Sequence, residues 1–228
     1  MKTADEAGVR SKEKNMDKNV EEATNLRLGA LKNRLENNGF NCVVLENADE
    51  AKELIRSTIE DGSTVAMGGS QSVRELGIEE MLCSMNINFL DKNARSKSEE
   101  ERNVLRKKAF MADYYLASCN AISMDGHLFN IDGRGNRVAA IGFGPKKVYL
   151  FVGENKIVNN EEEAWTRIRN VAAIANNIRL NNDTPCRKAG MCVNCSSDMR
   201  ICNQFSKIVK CFEKDRITVV LVKGSWGY

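Results

Sequence analysis

The sequence predicts an α/β protein built on a parallel sheet covered by helices. Three observations carry this reading. Short apolar runs alternate with longer amphipathic segments through the first half of the chain, the β-α-β-α rhythm of crossover-connected strands. The runs Cys42–Leu45, Thr64–Met67, Lys147–Val152 and Ile217–Val222 read as buried strands. At 228 residues, 42% hydrophobic and 29% charged, the chain is long enough and apolar enough to bury a sizeable core.

The elements follow in order. Residues 1–16 mix Lys, Glu, Asp and Gly without apolar periodicity and are expected to form a flexible tail; residues 17–228 are expected to form one α/β domain. From Asp17 to Asn37, Val20, Leu28, Leu31 and Leu35 recur at helical spacing, and Gly39 stops the helix. Ala48 to Ile59 repeats the pattern with Ala51, Leu54, Ile55 and Thr58, ended by Asp61-Gly62. After the Thr64–Met67 strand, Gly68-Gly69-Ser70 turns the chain into a helix from about Gln71. Ile87–Leu90 and Tyr114–Ala117 continue the sheet, with a charged helix between them over Lys97–Phe110. Ala121–Ser123 and His127–Asn130 read as two short strands joined at Asp125-Gly126. A polar loop, Ile131–Arg137, then opens a short helix at Val138–Ile141. Glu161–Asn177 is a long helix with acidic residues in its first turn, as the helix dipole favours. Any domain boundary falls near residues 178–185.

Composition excludes several classes. The longest apolar runs, Val148–Val152 and Val171–Ala175, are far short of the ~20 residues of a membrane-spanning helix. The N-terminus has no apolar signal region, so a cytoplasmic protein is expected. A net charge of +3 and the lack of a basic stripe interleaved with aromatics argue against nucleic acid. With one histidine, His127, a multi-histidine metal site is impossible, and His127 reads as an exposed strand residue.

The strongest chemical signal is the cysteine pattern. Four of eight cysteines, Cys186, Cys192, Cys195 and Cys202, crowd into the segment 184–205, introduced by Pro185. Without an export signal a disulfide framework is disfavoured. Thiolates this close repel one another and oxidise readily, and a bound metal resolves both problems. Two identities compete. Iron–sulfur clusters, [4Fe–4S] among them, and structural zinc both use four cysteines. The single C-x2-C pair with wide flanks leans toward iron–sulfur, because zinc sites often supply two such pairs. Arg187, Lys188 and Arg200 would offset the negative charge of either centre.

Two further segments suit a small anion. The strand–turn–helix at Gly68, Gly69 and Ser70 would expose backbone N–H groups at a helix start. Ser70 would cap that helix or donate to a phosphate or carboxylate. Asn120 and the polar loop bearing Asp132, Gly133, Asn136 and Arg137 offer a fan of donors and acceptors for a sugar, carboxylate or phosphate.

Together these segments resemble the lactate-utilisation (LUD) domain family. The resemblance is carried by Met67–Ser70, Ser118–Ile122, Asp125-Gly126, Asn130–Ala140, Gly144–Lys147 and Arg167–Ala173, and extends to Thr184–Asn203 and Gly227-Tyr228. It implies the Rossmann-like fold of the ribose-phosphate isomerase and CoA-transferase-like group, with a C-terminal cysteine-rich loop. It implies a pocket at Gly68, Gly69, Ser70, Asn120, Asp132, Asn136 and Arg137, and a component of lactate or related organic-acid oxidation, an oxidoreductase subunit if it is an enzyme. The expected cofactor is an iron–sulfur cluster, with zinc as the alternative. The expected partners are a small anionic metabolite, an iron–sulfur redox protein and a second copy of the chain in a homo-oligomer. No glutamate stands in a matching motif for the CoA-transferase nucleophile, which argues against CoA transfer. A metabolite sensor with structural zinc, or a sugar-phosphate isomerase using Asp132 as its base, are the competing readings.

Overall fold

The computed structural model describes residues 17–91 and 97–228. The expected tail at 1–16 lies outside them. The chain opens with α1 (Lys18–Asn37), β1 (Asn41–Leu45), α2 (Ala48–Thr58) and β2 (Thr64–Met67). It continues with α3 (Gln71–Glu75), α4 (Ile78–Leu82), β3 (Asn88–Leu90), α5 (Glu99–Lys108) and β4 (Tyr114–Ala117). The middle holds β5 (Ala121–Ser123), β6 (Leu128–Asp132), α6 (Asn136–Gly142), β7 (Lys147–Gly153) and β8 (Ile157–Val158). The remainder is α7 (Glu161–Arg167), α8 (Ala173–Arg179), α9 (Pro185–Ala189), β9 (Gln204–Ile208) and β10 (Ile217–Val222).

The large sheet has six strands in the order β1-β10-β7-β4-β2-β3, and every pairing is parallel. This is the predicted α/β class. Strand β7 shows why its sequence is apolar throughout. Side chains alternate across a sheet, so Val148, Leu150 and Val152 enter one core with Leu28, Leu31 and Leu35 of α1. Tyr149 and Phe151 enter the opposite core with Ala51 and Ile55 of α2 and Ile78 and Leu82 of α4. A strand covered on both faces has no solvent side to mark with polar residues.

A second, four-stranded sheet in the order β8-β5-β6-β9 lies against this body. Its Ile122 and Leu128 join the α1 core, while Ala121, Phe129 and Ile131 pack on Ala164 and Ile168. Phe129 meets Trp165 edge-on at 5.1 Å between ring centroids, a favoured aromatic geometry.

The helix starts follow local chemistry. Asn47 caps α2 by accepting from the N–H groups of Asp49 (2.9 Å) and Glu50 (3.0 Å). Ser98 and Glu101 form a reciprocal capping box at α5. Pro185 sits at the start of α9 and a left-handed Gly190 ends it.

Several elements depart from the expectations. The helix after Gln71 is broken at Gly77, which adopts φ 71° between α3 and α4. The long helix from Glu161 contains a π-helical turn at Ile168–Ala172 between α7 and α8. Strand β6 runs to Asp132, two residues into the predicted polar loop, because β9 pairs with it as far as Asp132 opposite Gln204. His127 is half-buried just ahead of β6 rather than exposed within it. Among the described residues, no helix is long and apolar enough to cross a membrane.

Candidate functional site

The large sheet reverses its winding between β2 and β4. From β2 the chain passes outward to β3, and from β4 it passes the other way to β7. Beyond the carboxyl ends of strands at such a switch point, α/β sheets open a crevice suited to ligands. Strand β2 delivers Gly69 and Ser70 there, and β4 delivers Ser118, Cys119 and Asn120. The resulting cleft has a volume of about 310 Å³ and includes Asp132, Gly133, Asn136 and Arg137 from the polar loop. Seven of the eight predicted pocket residues therefore line one cavity.

The exception is Gly68. It is buried behind the lining, and its N–H donates to Leu116 O (2.8 Å) in the sheet ladder. A Cβ there would stand 3.2 Å from the Tyr115 hydroxyl and 3.5 Å from Arg137 Cδ. Its role is to let β2 pass close beneath Arg137.

Arg137 is also not the free ligand-binding cation it was expected to be. Its Nε donates to Asp132 Oδ1 (3.4 Å), and one terminal nitrogen donates to Ser118 O (2.9 Å) and Asn130 Oδ1 (2.7 Å). The other donates to Asn120 Oδ1 (2.8 Å) and Ile131 O (2.7 Å). A guanidinium has five N–H donors, and all five are engaged within the protein. Arg137 is the buttress that holds the β4 loop against β6.

Asp132 is engaged in the same way. Its Oδ2 accepts from the N–H groups of Arg137 (2.9 Å) and Val138 (3.1 Å), so the carboxylate itself occupies the start of α6. An anion at a helix N-terminus is favourably placed. These bonds assign Asp132 a structural role, capping α6 and pairing with Arg137. Ser70 Oγ likewise caps α3 by accepting from Val73 N–H (3.3 Å). Neither short helix offers its start to a ligand.

The positive field of the cleft comes instead from side chains that sequence reasoning missed. Arg106, Arg134, Lys156 and Arg179 line it beside Arg137, and Asp132 is the one acidic side chain among the described lining residues. Arg106 and Arg134 both reach Glu99 Oε1 at 3.0 Å. Arg179 hydrogen-bonds to the neutral Asn176 Oδ1.

Lys156 is the most unusual group. It is 2% exposed, and its Nζ donates to Ser72 Oγ (2.6 Å) and Ser118 Oγ (3.0 Å). No carboxylate pairs with it among the described residues. Burial pushes its ammonium down to about 8, Arg167 and Arg137 push the same way, and Cys119 and Glu75 oppose them. Nothing in the local sequence Glu154-Asn155-Lys156-Ile157 distinguishes this lysine from a solvated one.

The C-terminal segment closes the far side. Asn155 Nδ2 donates to Gly227 O (2.8 Å), Ser72 Oγ donates to Trp226 O (3.0 Å), and Tyr228 reaches the cleft lining. Gly227 adopts φ 61°, and a Cβ there would lie 2.7 Å from Ser72 N.

The predicted metal ligands meet at a second, smaller cavity. Cys186, Cys192, Cys195 and Cys202 all line it, with Asn177, Thr184 and Arg200 around them. Loop 190–203 meets the π-helical turn between α7 and α8 through Cys192 N–H donating to Asn170 Oδ1 (3.1 Å). Cys186 is buried, with Thr184 Oγ1 at 3.4 Å and Asn177 Nδ2 at 3.7 Å from its sulfur. Burial raises the Cys202 thiol, Arg200 opposes this and the three neighbouring cysteines add to it. Arg200 donates to Cys202 O (2.7 Å) and to Cys195 O, yet its buried Nε has no partner. Among the described residues, no three Cys, His, Asp or Glu side chains are set close enough to hold a single metal ion. The void between them is about 20 Å³, so loop 190–203 would adjust around any bound centre. The donor chemistry fits a thiophilic centre: four soft sulfur donors and an unpaired guanidinium N–H to meet their charge.

The two sites share a wall. Ile201 lines the large cleft and Cys202 the cysteine cavity. A Cβ on Gly133 would lie 3.5 Å from Ile201 Cα, and Asn203 N–H donates to Asp132 O (3.2 Å).

The family model of the LUD domain matches residues 28–222. The chain belongs to the LUD domain family. The match takes in the strands of the switch point, Arg137 and the cysteine loop of this LUD domain, and stops short of the C-terminal segment 223–228. Among solved structures, it is similar to the crystal structure of a DUF162 family protein from Deinococcus radiodurans. That likeness has a TM-score of 0.50 at 16% identity and covers 88% of this chain and 98% of that one. At this identity it supports the fold of the LUD domain alone. No curated protein matches the chain.

Proposed function

We propose that this LUD domain is a component of lactate or related organic-acid oxidation, in which the switch-point cleft binds a small carboxylate and the cysteine loop holds an iron–sulfur cluster. The observation that carries the first part is the charge balance of the cleft. Arg179 has no ion pair among the described residues, and Lys156 on the same lining has only hydroxyl partners. A small carboxylate would supply Arg179 with a counter-charge. The amide nitrogen of Asn120 makes no hydrogen bond within the described protein and adds a neutral donor to the same wall.

The donor set supports the second part. Zinc holds four sulfurs about 2.3 Å from one point, whereas a cluster gives each cysteine its own iron and tolerates wider spacing. Four cysteines line one cavity, and their single C-x2-C pair with wide flanks favours the cluster. An iron–sulfur centre would supply one-electron transfer to a redox partner. The protein's own part would be to hold the anion across the shared Ile201–Cys202 wall from that centre.

Anaerobic purification followed by iron, sulfide and zinc analysis tests the cluster, and calorimetric titration with lactate, pyruvate and phosphate tests the cleft. Iron and sulfide in comparable amounts, with carboxylate binding lost in Arg179→Met, is the expected result. One zinc per chain, without colour, would overturn the redox role and favour a metabolite sensor.

A further inference from the structure

We propose that Lys156 is a nucleophile that forms a reversible imine with the carbonyl carbon of a small 2-oxo acid bound in the cleft. This rests on the carboxylate-binding reading above and names the substrate class for it.

Ser72 Oγ gives its single proton to Trp226 O (3.0 Å), and Ser118 Oγ gives its proton to Cys119 O (3.0 Å). Each hydroxyl therefore faces Lys156 as an acceptor. A neutral amine has two N–H bonds, and these two acceptors satisfy both. The nitrogen lone pair is then left without a partner. An ammonium would instead have a third N–H without a partner at a site 2% exposed to water. The hydroxyls thus suit the neutral amine, which is the nucleophilic form.

The neighbours act in the same direction. Lys156 has no carboxylate ion pair among the described residues, and the cations Arg167 and Arg137 stand close enough to disfavour a charge on it. Desolvation and adjacent cations are the means by which lysine nucleophiles are activated. With the amine titrating at about 8, its neutral fraction at pH 7 is roughly 300-fold that of an exposed lysine. Arg179, also on the lining, is the guanidinium suited to the adjoining carboxylate. A carboxylate group next to an electrophilic carbonyl, the pattern of a 2-oxo acid, matches a cation and an uncharged amine lining one cavity.

The chemistry balances without an oxidant. The Nζ lone pair adds to the carbonyl carbon, and the former amine proton passes to the carbonyl oxygen. Protonation of the resulting hydroxyl releases one water, and the C=N bond forms. Hydrolysis reverses each step.

Pyruvate with cyanoborohydride, applied to the full chain at pH 7, tests this by peptide mapping. The expected result is one reduced adduct on the peptide bearing Lys156, formed at least tenfold faster than on any other lysine. It should be absent in Lys156→Arg and slowed in Ser118→Ala, which retains the amine but loses one acceptor. Labelling of Lys156 no faster than the other lysines, while pyruvate still binds by calorimetry, would overturn the imine and leave the carboxylate reading intact. Failure of lactate, pyruvate and phosphate all to bind the wild-type protein would overturn both. Because the wild-type map carries the result, a variant that fails to fold does not decide it.

Discussion

Asp132 grips Arg137 twice, through the backbone N–H at 2.9 Å and through Nε at 3.4 Å. One carboxylate thereby starts α6 and fixes the guanidinium that joins Ser118, Asn120, Asn130 and Ile131. Asp132→Ala removes the helix cap and leaves a half-buried cation without its counter-charge. It should destabilise the protein by about 2–4 kcal/mol. Asp132→Asn keeps an acceptor for the Arg137 and Val138 N–H groups and should lose about half as much. Chemical denaturation of the two variants checks this, and equal losses would mean that the cap, not the ion pair, carries the effect.

Lys156 makes stability depend on pH with a definite sign. Its folded-state value of about 8 lies below the ordinary 10.5, so between these values the unfolded chain holds the proton and the folded chain does not. Stability contributed at this position therefore rises from pH 8 to pH 10 and is flat below pH 7, where both states are charged. The full span corresponds to about 3 kcal/mol. Cys42, whose thiol burial pushes up to about 12, works in the opposite direction above pH 9. The informative quantity is therefore wild type minus Lys156→Met at each pH. A difference that does not change with pH would show that Lys156 is charged in the folded state throughout.

Gly227 holds the C-terminal segment against α3. Its φ of 61° suits glycine, and any Cβ would collide with Ser72. Gly227→Ala should cost about 1–2 kcal/mol from backbone strain, and carboxylate affinity should fall further because Ser72 orients Lys156. Loss of stability with unchanged affinity would uncouple the segment from the cleft.

The cysteines divide into two groups with different expected responses. Cys186→Ser, Cys195→Ser or Cys202→Ser should each abolish most metal content and lower thermal stability of the metal-loaded protein. Cys83→Ser should do neither, because Cys83 is exposed at the C-terminal end of α4 and outside the cysteine cavity. Metal analysis of the four purified variants decides it.

The fold was largely legible because its signals are local or periodic. The doubly buried run Val148–Val152 and the spacing of Leu28, Leu31 and Leu35 each declare burial without reference to the rest of the chain. Strand β9 was not legible: in Gln204–Ile208 two of five residues are intermediate in burial and none is buried, so no alternation marks it. The cleft was legible by position and not by role. Gly69, Asn120 and Asp132 belong to it, but whether a side chain faces a ligand or another part of the protein is a three-dimensional property. Asp132 and Arg137 looked like ligand groups because they are polar, and they satisfy each other. Lys156 carried no sequence signal because its partners, Ser72 and Ser118, are far from it in sequence.

Ile201 and Cys202, adjacent in sequence, line the two different cavities. A centre that draws the cysteines together would shift Ile201 relative to Gly133 and Asp132. By thermodynamic reciprocity, the factor by which an occupied cysteine loop changes carboxylate affinity equals the factor by which carboxylate changes affinity for the metal centre. Ligand constants measured on protein stripped by air or chelator would then describe a different cleft from the one that operates in the loaded state.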